Sequence, residues 1–228
     1  MTPPHPISEP LVVGLRERKK AQTRRAISDA ATRLFMENGF DEVTLAEVGE
    51  AAGVSIKTIF NYFGSKEELF FDREAELRGA IVAAVSERPP GRTITDALTA
   101  QLSEHRLPVA GDDWAALRDP RRYGQFQRFL ATWQESAALR GRAMLGNERL
   151  QDELAAVVGA AAGLPGADDR VRAMAAMLAA AVQLRHRTLA GALLEGAPAA
   201  EVEARVRAVV GEALGRIAAA FPDLNTGA

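Results

Sequence analysis

Four polar residues between positions 57 and 62 carry side chains that can hydrogen-bond to DNA. Lys57 can donate to a guanine edge or a phosphate, and Asn61 can pair with adenine. Thr58 can contact a thymine methyl group or a phosphate, and Tyr62 offers a hydroxyl group to a phosphate. Contact with nucleic acid is therefore the chemistry that this stretch favours. A helix with an ordinary polar outer face would account for the same residues.

A run of basic residues precedes this stretch. The chain has a formal net charge of −2, yet residues 16–25 include only one acidic residue, Glu17. A basic patch on a near-neutral protein indicates local contact with phosphate rather than a generally cationic binder. The start of a solvated helix is the alternative explanation. The basic residues of the run are Arg16, Arg18, Lys19, Lys20, Arg24 and Arg25.

The composition excludes several kinds of site. There is no cysteine, which removes disulfides, thiolate nucleophiles and cysteine-based metal sites. The three histidines, His5, His105 and His186, are too scattered to predict a metal cluster, and we expect neither a metal nor a cofactor. No leader peptide and no membrane-spanning stretch is evident, so we expect a cytoplasmic chain.

The four polar residues fall in a segment, Thr44–Phe63, that has the lengths of a helix-turn-helix. Thr44 and Glu47 form a capping box that starts one short helix, and Gly53 ends it. Ser55 caps a second helix, which we predict from Ile56 to about residue 63 with Ile59, Phe60 and Phe63 facing inward. A helix of this length spans roughly 12 Å and fits the major groove of DNA.

The whole chain is predicted to be all-α. We expect a flexible tail at residues 1–16, a helix-turn-helix domain at 17–64 and a larger helical bundle at 65–228. A capping box at Ser65 predicts a fourth helix running unbroken to about residue 86, which would join the two parts mechanically. Further start and stop signals predict helices at 93–106, at 120–163 with an interruption near 136–141, at 168–194 and at 198–221, with a loop at 107–113.

Residues 17–70 resemble the DNA-binding domain of the tetracycline-repressor (TetR) family of bacterial transcription regulators. The resemblance is carried by Ala-Ala-Gly-Val-Ser at 51–55 and by Thr-Ile-Phe-Asn-Tyr-Phe-Gly-Ser-Lys-Glu-Glu-Leu at 58–69. Phe60 departs from the pattern, because the family often has a tyrosine there. The chemistry and the resemblance together predict DNA contacts from Thr44, Ser55, Lys57, Thr58, Asn61, Tyr62, Lys66 and Arg24.

The resemblance also implies a homodimer formed by the last two helices and a ligand cavity in the bundle. Seam candidates at helical spacing are Val171, Met174, Leu178, Val182, Leu189, Val202, Val206, Val209, Leu214 and Ile217, with an intramolecular core as the alternative. Candidates for lining the cavity are Trp114, Phe126, Phe129, Trp133, Met174, Met177, Gln183 and His186, with plain core packing as the alternative. The polar cluster Arg185-His186-Arg187 could bind an anionic ligand, with contact to solvent or to a partner helix as the alternative.

The leading hypothesis is a ligand-responsive homodimeric repressor that binds a palindromic double-stranded operator. Its effector would be a small, largely hydrophobic molecule whose binding shifts the spacing of the two recognition helices. A constitutive DNA-binding dimer is the first alternative. An all-helical enzyme is the second, although neither a Gly-rich phosphate loop nor a G-x-S-x-G motif occurs, so we predict that the chain is not an enzyme.

Overall fold

A computed structural model describes residues 10–104 and 114–226, and every regular element in those ranges is helical. The all-α prediction is confirmed. The helices are α1 Pro10–Asn38, α2 Leu45–Ala52, α3 Ile56–Tyr62, α4 Lys66–Phe70, α5 Asp72–Ser86, α6 Ile94–Glu104, a short 3-10 helix Trp114–Arg118, α7 Pro120–Glu135, α8 Ala137–Ala162, α9 Asp169–Leu194 and α10 Ala199–Ala220.

The chain divides into two compact units, with the boundary between Phe70 and Phe71. Unit 1 contains α1 to α4. Its core includes three aromatic rings, those of Phe35, Phe40 and Phe70, whose centroids lie 5.2–5.6 Å apart. Ile27 and Val48 are buried with them. Phe40 and Phe70 meet nearly edge to face, at 85°, and this attraction adds to the burial of apolar area in the core of unit 1.

The first helix extends into the segment that the sequence predicted to be a tail. It begins at Pro10, so the expected tail is wrong for residues 10–16; residues 1–9 lie outside the described part. Proline is tolerated in a first helical turn, because its missing N–H group would have no partner within the helix there. The basic residues that follow have high helix propensity. The basic run therefore continues a helix rather than a tail.

The predicted unbroken fourth helix is also wrong. α4 ends at Phe70 and α5 begins at Asp72, with Phe71 at φ −92° and ψ 13° between them. The sequence contains no glycine or proline at this point, so local propensity cannot account for the break. We attribute it to tertiary packing, because Phe70 is held in the aromatic cluster of unit 1.

Unit 2 contains the remaining helices, arranged around α9, which packs against α7, α8 and α10. The helix signals read from the sequence are confirmed at three caps. Asp119 caps α7 with a proline in its first turn, Ser136 separates α7 from α8, and Gly163 ends α8 at φ 66°. The 3-10 helix was not predicted, and the predicted loop at 107–113 lies outside the described residues.

The predicted seam residues lie in the core of unit 2. All of them except Val209 are buried within the chain itself, at 0–3% exposure. For these residues the intramolecular alternative is confirmed, because α9 and α10 must first pack against each other and against their neighbours. A dimer seam, if these helices form one, has to use another face.

The described helices include none that is both long and apolar enough to cross a membrane. Within the same ranges, no group of three histidine or acidic side chains is placed to hold a metal ion.

The turn between α2 and α3 gives a stability prediction. A Cβ on Gly49 would lie 2.8 Å from the carbonyl oxygen of Val54, so backbone must shift to accept it. We expect Gly49→Ala to lower the free energy of unfolding of unit 1 by about 1–3 kcal/mol. Thermal unfolding followed by circular dichroism measures it. Gly14→Ala is the control, because nothing lies within 4 Å of the added methyl group; equal effects of the two would contradict the argument.

Candidate nucleic-acid interface

Hydrogen bonds at two helix starts set the geometry of α2 and α3. The Thr44 hydroxyl accepts from the Glu47 N–H at 3.2 Å, and Glu47 Oε2 accepts from the Thr44 N–H at 2.7 Å. The Thr44 hydroxyl also donates to Glu47 Oε2 at 2.8 Å, and the two bonds that this carboxylate accepts, first from the N–H and then from the hydroxyl of Thr44, lower the pKa of Glu47. Ser55 Oγ accepts from the Thr58 N–H at 3.1 Å and lies 2.8 Å from the Thr58 hydroxyl. Thr44 and Ser55 therefore serve as caps.

The α2–α3 turn depends on Gly53 in the left-handed conformation, with φ 68°. This conformation lets the Val54 N–H donate to the Gly49 carbonyl at 2.9 Å, which closes the turn. α3 begins immediately after the turn, with Ser55 as its N-cap. The predicted helix-turn-helix is present as two helices of eight and seven residues.

The exposed face of α3 differs from the predicted one in one respect. Ile59 and Phe63 are buried as expected, but Phe60 is 53% exposed, so its predicted inward orientation is wrong. Phe60 lies about 100° around the helix from Ile59, and a helix this short can turn only one narrow face to the core. Lys57 and Asn61 are exposed, and Thr58 and Tyr62 are partly exposed.

Arg24 connects α1 to the end of α3. Its Nη1 donates to the carbonyl oxygen of Tyr62 at 2.7 Å, and its guanidinium carbon lies 4.3 Å from the centre of the Phe63 ring. The cation thus meets the negative end of the α3 dipole and the face of an aromatic ring. These contacts give Arg24 a structural role in holding α3.

Lys66 is similarly engaged within unit 1. Its Nζ donates to the Asp41 carbonyl at 3.3 Å and lies 4.4 Å from the centre of the Phe40 ring. Partial burial lowers the pKa of Lys66, an effect opposed by nearby acidic groups that include Asp41. A phosphate contact by Lys66 would have to share the cation with these groups.

An open groove of about 700 Å³ runs between the first half of α1 and α3. Sequence reasoning identified the basic run but not its meeting with α3, since a charge pattern does not say which helices are neighbours. The groove is lined by Arg16, Glu17, Lys19, Lys20 and Thr23 from α1 and by Thr58, Asn61 and Tyr62 from α3. Three cations and four polar side chains in one concave surface suit a phosphate backbone.

A small cavity of about 30 Å³ lies inside unit 2, between α5, α8 and α9. His186 Nε2 and Asn147 Oδ1 at this cavity are buried and lack a hydrogen-bond partner among the described residues. Burial and the neighbouring Arg185 lower the pKa of His186 to about 3, so its imidazole is neutral at pH 7. The lining residues are Leu77, Arg78, Ile81, Gly146, Asn147, Leu150, Val182, Gln183 and His186.

Two of the eight predicted cavity residues, Gln183 and His186, line this cavity. Trp114, Phe126, Phe129 and Met174 are buried, Trp133 is half-buried and Met177 is 40% exposed, and none of these six is among its lining residues. Arg185 is fully buried and donates from Nε to the Leu102 carbonyl at 2.9 Å, and burial lowers its pKa to about 10. Neither exposure to solvent nor an opening into the cavity is seen for Arg185.

Comparison with known proteins identifies the family. The model for "Bacterial regulatory proteins, tetR family" matches residues 27–72, which include the whole helix-turn-helix. The transcriptional regulator BetI of Rhizobium meliloti is 31% identical over 153 residues, which cover 65% of this chain and 69% of BetI. The chain belongs to the TetR family. The predicted resemblance is confirmed.

Two further comparisons bear on this TetR-family chain. TcmR, a transcriptional regulator of Streptomyces glaucescens, is 34% identical over 92 residues, or 40% of this chain; the match spans only 41% of TcmR itself. The solved structure of the SmeT–triclosan complex is 21% identical, with a TM-score of 0.53 over 87% of this chain and 91% of SmeT. The latter likeness concerns the fold.

Proposed function

We propose that this TetR-family chain is a homodimeric transcriptional repressor that binds a palindromic operator in the cytoplasm and releases it when a small apolar effector binds unit 2. The observation that carries the proposal is the helix-turn-helix with exposed Lys57 and Asn61 on α3, beside a groove lined by three cations of α1. Side chains for base edges and side chains for phosphate lie on adjoining surfaces of unit 1, as a major-groove reader requires.

The experiment that tests operator binding is selection of DNA from a random pool by the purified protein. One α3 reads too few base pairs for useful discrimination, so we expect inverted repeats with half-sites centred about 34–36 Å apart. Selected sequences without inverted symmetry would count against a dimeric reader. Recovery of no preferred sequence would contradict sequence-specific binding.

Lys57 and Lys20 should differ in what they contribute to binding. We expect Lys57→Ala to relax the preference at one operator position and to cost about 1–3 kcal/mol there, because a base contact is lost. We expect Lys20→Ala to weaken binding to all DNA sequences equally. It should also reduce the slope of log affinity against log salt concentration by roughly 0.9, because one phosphate contact is lost. Fluorescence anisotropy over a salt series measures both; a uniform loss for Lys57→Ala would assign it to phosphate.

Homodimerisation is proposed through the outer faces of α9 and α10. On α9 the exposed residues Met177, Ala180 and Leu184 recur at spacings of three and four, and Met177 and Leu184 are 40% and 42% exposed. The corresponding exposed residues on α10 are Ala204, Ala208, Gly211 and Gly215. Small side chains on one helix and larger apolar ones on its neighbour allow close packing in a four-helix seam.

Charge placed in that seam should separate the protomers. We expect Leu184→Glu or Ala208→Glu to raise the dimer dissociation constant by at least about a hundredfold, because an unpaired carboxylate would be buried. Sedimentation equilibrium measures the constant. Ala138→Glu on α8 is the control, because Ala138 is an exposed alanine outside these faces. A dimer unaffected by both seam variants would mean that other surfaces join the protomers.

The effector site is proposed at the cavity beside His186. Its resting volume of about 30 Å³ has room for roughly one water molecule, so an effector must open it by moving α5 away from α8 and α9. Leu77, Ile81, Leu150 and Val182 offer apolar surface, and neutral His186 with Asn147 offers hydrogen bonds. These features favour an uncharged, largely apolar effector with at least one hydrogen-bonding group.

An effector at this cavity should couple to DNA. We expect a compound of this class to raise the melting temperature of the protein and to lower its affinity for a fluorescent operator. The affinity of the protein for the compound should fall by the same factor when operator is present. His186→Leu should abolish these effects, whereas Trp133→Leu, outside the cavity lining, should retain them. If tight binders leave operator affinity unchanged, the chain is a constitutive DNA-binding dimer.

A further inference from the structure

Two large apolar side chains lie on the exposed side of α3. Phe60 is 53% exposed and Ile56 is 44% exposed, in a helix of only seven residues. By contrast, the phenyl rings of Phe35 and Phe63, also in unit 1, are almost fully buried. Exposure of a phenyl ring to water is unfavourable, so a surface that covers Phe60 would gain from the apolar area removed from water.

The arrangement of α3 separates these two residues from the basic groove. Ile56 and Phe60 are four residues apart and form one stripe, and Lys57 and Asn61 form the next stripe around the helix. Thr58, Asn61 and Tyr62 line the groove shared with α1, whereas Ile56 and Phe60 do not. Around α3, the stripe of Lys57 and Asn61 therefore lies between the apolar stripe and the groove shared with α1.

We propose that Phe60, with Ile56 beside it, reads the C5 methyl groups of thymines in the operator. The major groove presents hydrogen-bond donors and acceptors and one apolar group, the thymine methyl, so it is the only part of that surface that a phenyl ring can recognise by burial. A ring without a hydroxyl group has no hydrogen bond to offer a phosphate, so any gain that Phe60 makes on DNA comes from apolar contact. This inference rests on the proposed operator binding.

Phe60 recognises thymine through contact between a methyl group and a ring, so the gain in affinity is modest. Removing one buried methyl group from such a contact weakens binding about three- to tenfold. The effect is confined to the thymine that faces Phe60, and a symmetric dimer shows it once in each half-site. A polar or phosphate contact from α3 does not respond to the loss of a methyl group.

The test replaces each thymine of the selected operator in turn by deoxyuridine, which keeps the base pair and removes only the methyl group. The wild-type chain binds the duplexes at fixed salt, and fluorescence anisotropy measures the dissociation constants. The expected result is a three- to tenfold loss at one position per half-site. A second pair of duplexes carries cytosine or 5-methylcytosine at the same position. The 5-methylcytosine duplex should bind more tightly than the cytosine duplex, because it regains the methyl group.

Variants then assign the methyl contact to its side chain. Phe60→Ala should bind the thymine operator more weakly and should be indifferent to deoxyuridine at the sensitive position. Leu15→Ala is the matched control, because Leu15 is an apolar residue of α1 with 56% exposure; it should keep the full sensitivity. Phe60→Leu, which retains apolar bulk, should keep part of it.

Two results would overturn the inference while leaving operator binding intact. One is a selected operator in which no thymine responds to deoxyuridine in the wild-type protein. The other is an unchanged response in Phe60→Ala, which would assign the methyl contact to another residue. Failure to select any preferred sequence would instead overturn the proposed function and this inference together. The uracil measurement uses the wild-type chain, so it does not depend on the folding of a variant.

Discussion

The recognition helix α3 is too short to be stable by itself, and most of unit 1 serves to hold it. α3 has seven residues, and a helix this short forms too few internal hydrogen bonds to offset the entropy of ordering it. Its orientation therefore comes from outside the helix. Burial of Ile59 and Phe63 attaches one face, and the cap at Ser55 fixes where the helix begins. Arg24 holds its end through the Tyr62 carbonyl and the Phe63 ring.

The turn before α3 depends on the absence of a side chain. Gly49 lies so close to the carbonyl of Val54 that a Cβ at position 49 would push α2 and the turn apart. With α2 and the turn in contact, Ile59 and Val48 are both buried in the core, and the opposite face of α3 is directed outward. The polar and apolar groups on that face can therefore serve recognition.

The basic residues of unit 1 fall into two groups with different contacts. Arg24 and Lys66 engage backbone carbonyls and aromatic rings within unit 1, and so contribute to its structure. Lys19 and Lys20 line the groove beside α3. With Arg16, which lines the same groove, these two lysines are the cations proposed to meet phosphate. A basic run in a sequence thus combines structural and binding cations, and the contacts within the fold separate them.

The sequence by itself determined the helix-turn-helix, because its signals are local. Capping residues at Thr44, Ser55, Asp119 and Asp168 satisfy N–H groups two or three residues away, and Gly53 and Gly163 adopt backbone conformations that other residues resist. The family was also identifiable, because its motif lies in consecutive residues. Each of these features depends on neighbours along the chain and can be read there.

The tertiary structure decided what lies on which surface. The orientation of Phe60, the break at Phe71 and the burial of the predicted seam residues of α9 and α10 all depend on how many sides of a helix its neighbours cover. Periodicity gives the spacing of apolar residues but not which of two apolar faces meets the core and which remains exposed. The same limit applies to the cavity beside His186, because three helices distant in sequence form it and no local pattern specifies their meeting.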